Sequence, residues 1–294
     1  MITDSAAQTT HGTFAALKQP NYRLWFFGQM VSLIGTWMQA TAQGYLIYSL
    51  TGSAASLGII SFISGVPTWI FTLYGGVIAD RLSRRTLLII PQLLMMLLAL
   101  IMAALVFTNL IQPWHIGVLA FFLGVANAFD APTRLSFIRE LVSREQMTNA
   151  IALNATMFNI GTIIGPAVGG LTYAAFGPGW CFTINGISFL AVIFNLARMK
   201  LDKHIPPANA KNALVELLEG VKYVRNHKVI RALIFNLGFI SLFGFGLVAL
   251  LPAWAVAILK GDVTTNGWLL SARGVGSLIG ALILASLGAR QIRG

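Results

Sequence analysis

The chain has 294 residues, of which 56% are hydrophobic and 10% charged, whereas soluble globular domains carry about 25% charged residues. Twenty Lys and Arg side chains stand against nine Asp and Glu, which gives a net charge of +11. This composition excludes a disordered chain and argues against a water-soluble globule, and the single cysteine excludes an internal disulfide framework and a cysteine-ligated metal site.

Long runs without any charged residue divide the chain. They extend over 24–79, 86–129, 146–197 and 232–259. A membrane-spanning helix needs about 20 mostly apolar residues, and turn residues at 51–53, 109–113 and 176–179 interrupt the first three runs. With the apolar stretch 264–289, the runs predict eight spans. We therefore expect an all-α membrane protein with a tail (1–23), a six-helix transmembrane bundle (24–198), a linker (199–230) and two further helices (231–294).

The first predicted span carries a stripe of polar side chains with spacings of three and four residues, which places them on one face of a helix. The stripe consists of Gln29, Ser32, Thr36, Gln39 and Gln43. Polar groups are costly when they face lipid, so we expect this face to line a water-filled substrate cavity. Polar contact with a neighbouring helix is the alternative interpretation.

The loop after the second span contains the most specific motif, Gly76-Val-Ile-Ala-Asp80-Arg81-Leu-Ser-Arg84-Arg85. It resembles the signature loop of the major facilitator superfamily, with Ser83 where the family usually has glycine. The resemblance implies that Gly76, Asp80, Arg81, Arg84 and Arg85 control a cytoplasmic gate. A small residue lets the helix end approach a neighbour, and an aspartate suits a helix N-terminus. The simpler interpretation is that the arginines only set the membrane topology.

Asp130 is the one acidic residue placed inside a predicted span, near the end of span four. Ionisable groups inside spans are costly and usually functional. We expect Asp130 to pair with Arg84 as part of the gate, and the alternative is that it is the group that carries a coupled proton. Asn127, in the same span, and Asn154, in span five, are further candidates for the substrate cavity, with Asn159 as a weaker one.

Span five contains three glycines at intervals of four residues, Gly161, Gly165 and Gly169, and the helix-bending Pro166. A glycine stripe permits close contact between helices. The segment also resembles the Gly-Pro motif of antiporter-type exporters in the superfamily, which implies export. A helix that merely packs closely would use the same glycines.

The predicted linker is polar and contains Pro206-Pro207. Its second part, 213–224, has apolar residues at helical spacing and predicts an amphipathic helix on the cytoplasmic membrane surface. A solvated linker without that helix is the alternative. In span eight, Arg273 is a cavity or gating candidate, and snorkelling to the membrane surface explains it equally well.

The distribution of basic residues predicts the orientation. Eighteen of the twenty Lys and Arg residues lie in the two tails and in the loops after spans two, four and six, whereas the opposite loops hold only Lys260. By the positive-inside rule both termini are cytoplasmic in a multi-pass protein of the inner (plasma) membrane. The basic surplus is thereby explained without a nucleic-acid partner, because no soluble module collects the charges.

Two further groups of residues narrow the resemblance: the segments 17–25 and 32–39, and the segments 131–137 and 149–154. They are similar to the enterobactin-exporter-like, transmembrane secretion effector branch of the superfamily. The resemblance implies a secondary transporter that exports a small molecule, such as a drug or siderophore, by alternating access and coupled to protons. It implies no cofactor, no metal and no catalytic residue.

An enzyme is not expected, because the four histidines are scattered over tail and loops and no span carries a catalytic pair. A non-transporting fragment with only membrane-association or structural role is the remaining alternative. Superfamily transporters have two repeats of six helices, and this chain contains one repeat and two helices of the next. Repeat arithmetic predicts a C-terminally truncated transporter that lacks about 110 residues, or four helices. We expect six packed helices, with two more lying against them.

Overall fold

The computed structural model describes residues 14–79, 84–199, 220 and 222–288. Eight long helices follow one another: α1 (Pro20–Thr51), α2 (Ala54–Ala79), α3 (Arg84–Phe107), α4 (Pro113–Leu141), α5 (Met147–Phe176), α6 (Pro178–Arg198), α7 (Lys228–Ala249) and α8 (Val263–Gly288). Short 3-10 turns precede α1 and α5, and a helical turn with a π-helical segment, Leu251–Ala253 and Trp254–Ile258, follows α7. The described residues contain no strand, so the predicted all-α class is confirmed.

The helices end where the turn residues predict. Gly52 adopts a left-handed conformation (φ 61°) and donates its backbone N–H to the carbonyl of Tyr48 at 2.7 Å, which closes α1. Gly177 (φ 87°) closes α5 in a similar way, and Pro178 then begins α6. These short connections make consecutive helices antiparallel, as in a membrane bundle.

Helices α1 to α6 form one bundle, in which α1 packs on α5 and α6, α2 packs on α4, and α3 packs on α4 and α6. We call its two ends the Pro20 end, where α1, α3 and α5 begin, and the Thr51 end, where they finish. Each end has its own apolar core. At the Pro20 end the core contains Tyr22, Trp25, Phe137, Leu153 and Leu196, and at the Thr51 end it contains Met38, Leu46, Ile60, Met102 and Phe182.

Six helical stretches in the described part of the chain are long and apolar enough to cross a membrane. They are Ala54–Thr72, Arg85–Phe107, Pro113–Leu141, Arg144–Phe176, Pro178–Arg198 and Lys228–Ile258. Helices α1 and α8 have sufficient length but are not among these six. Both carry polar side chains at intervals along the helix, for example Gln29 and Gln39 in α1 and Asn266 and Arg273 in α8.

Helices α7 and α8 lie outside the six-helix bundle. Helix α8 packs along α5, whereas α7 is exposed along almost its whole length. Within the described ranges the two helices form no closed second bundle, which is the arrangement that we expected. Of the predicted amphipathic helix, residues 220 and 222–226 are helical, and the remainder lies outside the described residues.

Candidate functional site

The polar stripe of α1 makes contact with α6 over part of its length. Asn185 of α6 donates its side-chain amide to Gln39 Oε1 at 2.7 Å, and both residues are buried. Close approach of the helices is possible because position 35 is glycine: a Cβ there would lie 2.6 Å from Asn185 Oδ1. Gln29 and Ser32 are buried as well. In this structure, therefore, Gln39 has the helix-contact role that was the alternative interpretation of the stripe.

The other predicted cavity residues are more accessible. Five of them are half-buried and one is exposed: Thr36, Gln43, Asn127, Asn154 and Asn159 are half-buried, and Arg273 is exposed. Thr36 uses its hydroxyl for the carbonyl of Ser32 at 2.9 Å, and Asn159 uses its amide for the carbonyl of Ala155 at 3.0 Å. Their role in a substrate cavity stays a prediction.

Asp130 lies at the centre of a buried polar cluster between α3 and α4. Only 3% of its surface is exposed. Its Oδ2 lies 3.1 Å from Arg134 Nε, one helical turn further along α4, and its Oδ1 accepts a hydrogen bond of 2.9 Å from Gln92 Nε2 of α3. Gln92 is 2% exposed, and its Oε1 has no hydrogen-bond partner. The carboxylate is therefore held by one cation and one amide.

Sequence analysis missed both of these partners. The four-residue spacing between Asp130 and Arg134 was a usable signal for a helical ion pair, whereas no local pattern connects Gln92 with Asp130. The expected partner Arg84 begins α3, and its side chain lies outside the described residues, as do Asp80 and Arg81. The pairing of Arg84 with Asp130 consequently stays a prediction.

The remaining gate candidates are only partly described. Gly76 is helical, near the end of α2. The guanidinium of Arg85 donates to the backbone carbonyl of Ala197, which connects the start of α3 with the end of α6 at the Pro20 end. Arg85 thus binds a helix terminus, where four backbone carbonyls have no partner within the helix.

The glycine stripe of α5 faces α1. A Cβ at Gly165 would lie 2.5 Å from the Cβ of Trp37, and a Cβ at Gly169 would lie 2.9 Å from the carbonyl oxygen of Met38. At Gly161 it would lie 2.9 Å from Leu33. These three positions have no space for a side chain, so the helices touch through their backbones.

The opposite face of α5 meets α8 in the same manner. A Cβ at Gly170 would lie 3.0 Å from the carbonyl oxygen of Val263, and a Cβ at Gly267 would lie 2.6 Å from that of Pro166. Further along, Gly274 approaches the carbonyl of Thr162, which Pro166, four residues on, cannot bond because it lacks an N–H. The sequence signal in α8, small residues at 267, 271 and 274, was not recognised.

An apolar groove of about 590 Å³ lies between α2 and α4 near the Thr51 end. Its walls include Ile59, Ile63, Trp114 and Phe121, and Ser56 is the polar residue among those that line it. Next to the groove, Trp114 Nε1 donates to Gln112 Oε1 at 2.8 Å. A tryptophan with a bonded indole N–H beside an apolar surface is typical of the membrane–water boundary.

The family model described as "Transmembrane secretion effector" matches residues 11–292 of this chain. Among curated proteins, the chain is similar to the multidrug efflux pump Tap of Mycolicibacterium fortuitum, with 26% identity over 87% of this chain and 64% of that protein. It is similar to the enterobactin exporter EntS of Salmonella typhi, with 26% identity over 92% of this chain and 63% of that protein. The chain thus spans less than two thirds of the length of these relatives.

The fold also has a counterpart among solved structures. A bacterial homolog to the human lysosomal transporter Spinster, crystallised in an inward-facing and unoccupied conformation, superposes with a TM-score of 0.70 and 14% identity. The match covers 95% of this chain and 64% of the other. At this identity the likeness concerns the fold alone.

Proposed function

This chain belongs to the transmembrane secretion effector family of the major facilitator superfamily, and is a multi-pass protein of small-molecule transport; from that membership we propose that it exports a small amphiphilic molecule, such as a drug or a siderophore. The relatives supply the substrate class: one is named a multidrug efflux pump and another an enterobactin exporter. A fold alone does not determine a substrate, so the proposal extends to the class and no further.

The proposed location is the inner membrane, with the Pro20 end facing the cytoplasm. Support comes from the basic residues, because the loops at the Pro20 end carry nearly all of them and Lys260 is the basic residue of the loops at the Thr51 end. In this orientation both termini are cytoplasmic. The groove between α2 and α4 then opens near the outer surface of the membrane.

The observation that carries the proposal is the position of α5 between α1 and α8. Glycines on both faces bring backbones into contact without interlocking side chains. Alternating access requires parts of the protein to rock against each other around a fixed site, and a smooth contact permits this movement more readily than an interdigitated one. Thr36, Gln43, Asn127, Asn154 and Arg273 are the proposed substrate contacts.

The proposed cytoplasmic lock comprises Asp80, Arg81, Arg84 and Arg85 together with Asp130. Its support is that Asp130 is buried and already paired, so any rearrangement at this end must break or re-form charged hydrogen bonds. The proposed driving force is the proton gradient. Asp130 is the acidic side chain within the described spans and is the candidate proton carrier if its ion pair opens.

Growth protection tests the proposal. The chain would be expressed in a bacterial strain that lacks its own efflux pumps, and the strain would be exposed to a panel of drugs and siderophores. We expect protection against at least one amphiphilic compound, and loss of that protection when an uncoupler dissipates the proton gradient. Absence of protection across the panel by a protein that is demonstrably inserted would contradict export, and protection that resists the uncoupler would contradict proton coupling.

A further inference from the structure

Helix α8 and the segment before it are bound tightly to the six-helix bundle at the Thr51 end. A Cβ at Gly44 of α1 would lie 3.3 Å from Pro252, and a Cβ at Gly170 of α5 would lie 3.0 Å from the carbonyl of Val263. Pro252 and Val263 are both buried. We call this set of contacts, made by Gly44 and Gly170 with Pro252 and Val263, the Thr51-end contact.

Towards the Pro20 end these contacts cease. Beyond Gly274, the side chains of α8 are largely exposed, with Val275 at 41%, Ile279 at 52% and Leu282 at 61%. In α7 the exposed fraction is 72% for Val229 and 62% for Leu233, near its start. The two parts therefore touch at the Thr51 end and are uncovered at the Pro20 end.

Asn266 lies in the buried face of α8 and has no hydrogen-bond partner for its side chain. It is 0% exposed, and neither Nδ2 nor Oδ1 is bonded. Among the described residues it is the only side chain with two such atoms, and Ser271 Oγ, one turn further along α8, is also unbonded. A buried polar group without a partner destabilises the state in which it is buried, because it has given up its hydrogen bonds to water.

We propose that the Thr51-end contact is an extracellular gate in its closed state, and that Asn266 keeps this gate reversible. When the gate opens, water reaches the amide and restores its hydrogen bonds, so Asn266 favours the open state. Without that penalty, the tight glycine contacts hold the gate closed for longer. The word extracellular rests on the proposed orientation, and the effect on export rests on the proposed function.

The test measures gate opening without requiring transport. Cys181 would first be replaced by alanine, and a single reporter cysteine introduced by Val263→Cys, which is 5% exposed in the closed contact. Intact cells would be treated with a membrane-impermeant charged maleimide and the labelling rate followed. Lys260→Cys, an exposed position in the adjacent turn, reports insertion and orientation.

We expect Asn266→Leu, which has nearly the same volume, to slow labelling of the Val263→Cys reporter about tenfold. Asn266→Ala should slow it as well, and provides a second variant if the leucine is not accepted. The matched control is Asn236→Leu in the exposed helix α7, which should leave the rate unchanged. Equal or faster labelling in both Asn266 variants would overturn the gate inference.

The same set of variants separates this inference from the proposed function. Slower labelling without any export by the parent chain would retain the gate and contradict the exporter. Normal export by Asn266→Leu with slower labelling would also contradict the gate, because opening would then not limit transport. If Lys260→Cys is labelled only in inside-out vesicles, the orientation is wrong, and the rate comparison is made in those vesicles.

Discussion

Gln39 and Asn185 illustrate how the role of a single polar residue depends on its partner. Their side-chain hydrogen bond of 2.7 Å joins α1 to α6 within the bundle. Loss of one partner leaves the other buried and unpaired, whereas loss of both removes the penalty. For this pair a double-mutant cycle therefore distinguishes a structural contact from a substrate contact.

We expect Gln39→Leu and Asn185→Leu each to lower stability by about 1–3 kcal/mol, and the double variant to lower it by less than the sum. Thermal unfolding in detergent gives these differences. Strictly additive losses would show that the two side chains do not interact in the folded protein. A specific loss of export in Gln39→Leu, with stability unchanged, would return Gln39 to the substrate cavity.

Asp130 provides the second prediction at this scale. Replacement by asparagine removes the charge that Arg134 and Gln92 bind, while it keeps the volume nearly constant. Because Arg134 is partly exposed, we expect a loss of about 2 kcal/mol, below the range for a fully buried broken pair. Chemical unfolding of purified protein measures it. Asn127→Leu, at a half-buried position of the same helix, is the control and should have the smaller effect.

At the scale of secondary structure, the α1–α5 contact depends on the absence of side chains. Gly165→Ala places a Cβ 2.5 Å from Trp37 Cβ and 2.8 Å from a backbone oxygen, and the backbone cannot give way cheaply. We expect a loss of about 1–3 kcal/mol. Gly58→Ala in α2 is the matched control, since no atom lies within 4 Å of its Cβ, and it should be neutral or slightly stabilising. Equal effects at the two positions would contradict the close contact.

The start of α8 carries a pH-dependent cap. Asp262 Oδ1 accepts the backbone N–H of Thr265 at 3.0 Å and its hydroxyl at 3.2 Å, and these hydrogen bonds hold the pKa of Asp262 below its ordinary value. The charged form is thus favoured in the folded state. The stabilisation is complete above the pKa of the unfolded chain and is lost as the pH falls through the lower pKa of the folded one.

We expect Asp262→Ala to lower stability at pH 7 by about 1 kcal/mol, and the difference from the parent to shrink on acidification below about pH 4. Unfolding curves at several pH values measure this. Glu145, whose pKa is lowered mainly by a hydrogen bond with Ser143, titrates at the Pro20 end and serves as the comparison. A difference that is independent of pH would show that the Asp262 carboxylate does not act through its charge.

The elements themselves were predictable because a bilayer imposes a strong rule on length and charge. Uncharged runs, and turns at Gly52 and Gly177, placed the ends of α1 and α5 within a residue or so. Which face of a helix meets which neighbour was not predictable. The periodicity of α1 identified a polar face, but only the fold brings Asn185 or Gln92 to its partner, because those contacts join distant parts of the chain.

At the scale of the whole molecule, the proposed lock at the Pro20 end yields the fifth prediction. Asp80→Asn should reduce export several-fold without reducing insertion, because it removes a charge from the loop that follows α2 and leaves the spans intact. Efflux in cells, with immunoblotting of the membrane fraction, measures the two quantities. Ser83→Gly, which restores the usual residue of the superfamily motif, is the control and should keep export. Full efflux from inserted Asp80→Asn protein would remove Asp80 from the gate.

The glycines of this molecule fall into two classes with different mutational tolerance. On α5, any side chain at Gly165 or Gly169 collides with backbone atoms of α1, so substitution there is restricted by geometry alone. On α7, a Cβ at Gly238 or Gly246 meets no atom of the described structure within 4 Å. Sequence drift should consequently be slow along α5 and fast along α7, although glycine occurs in both helices.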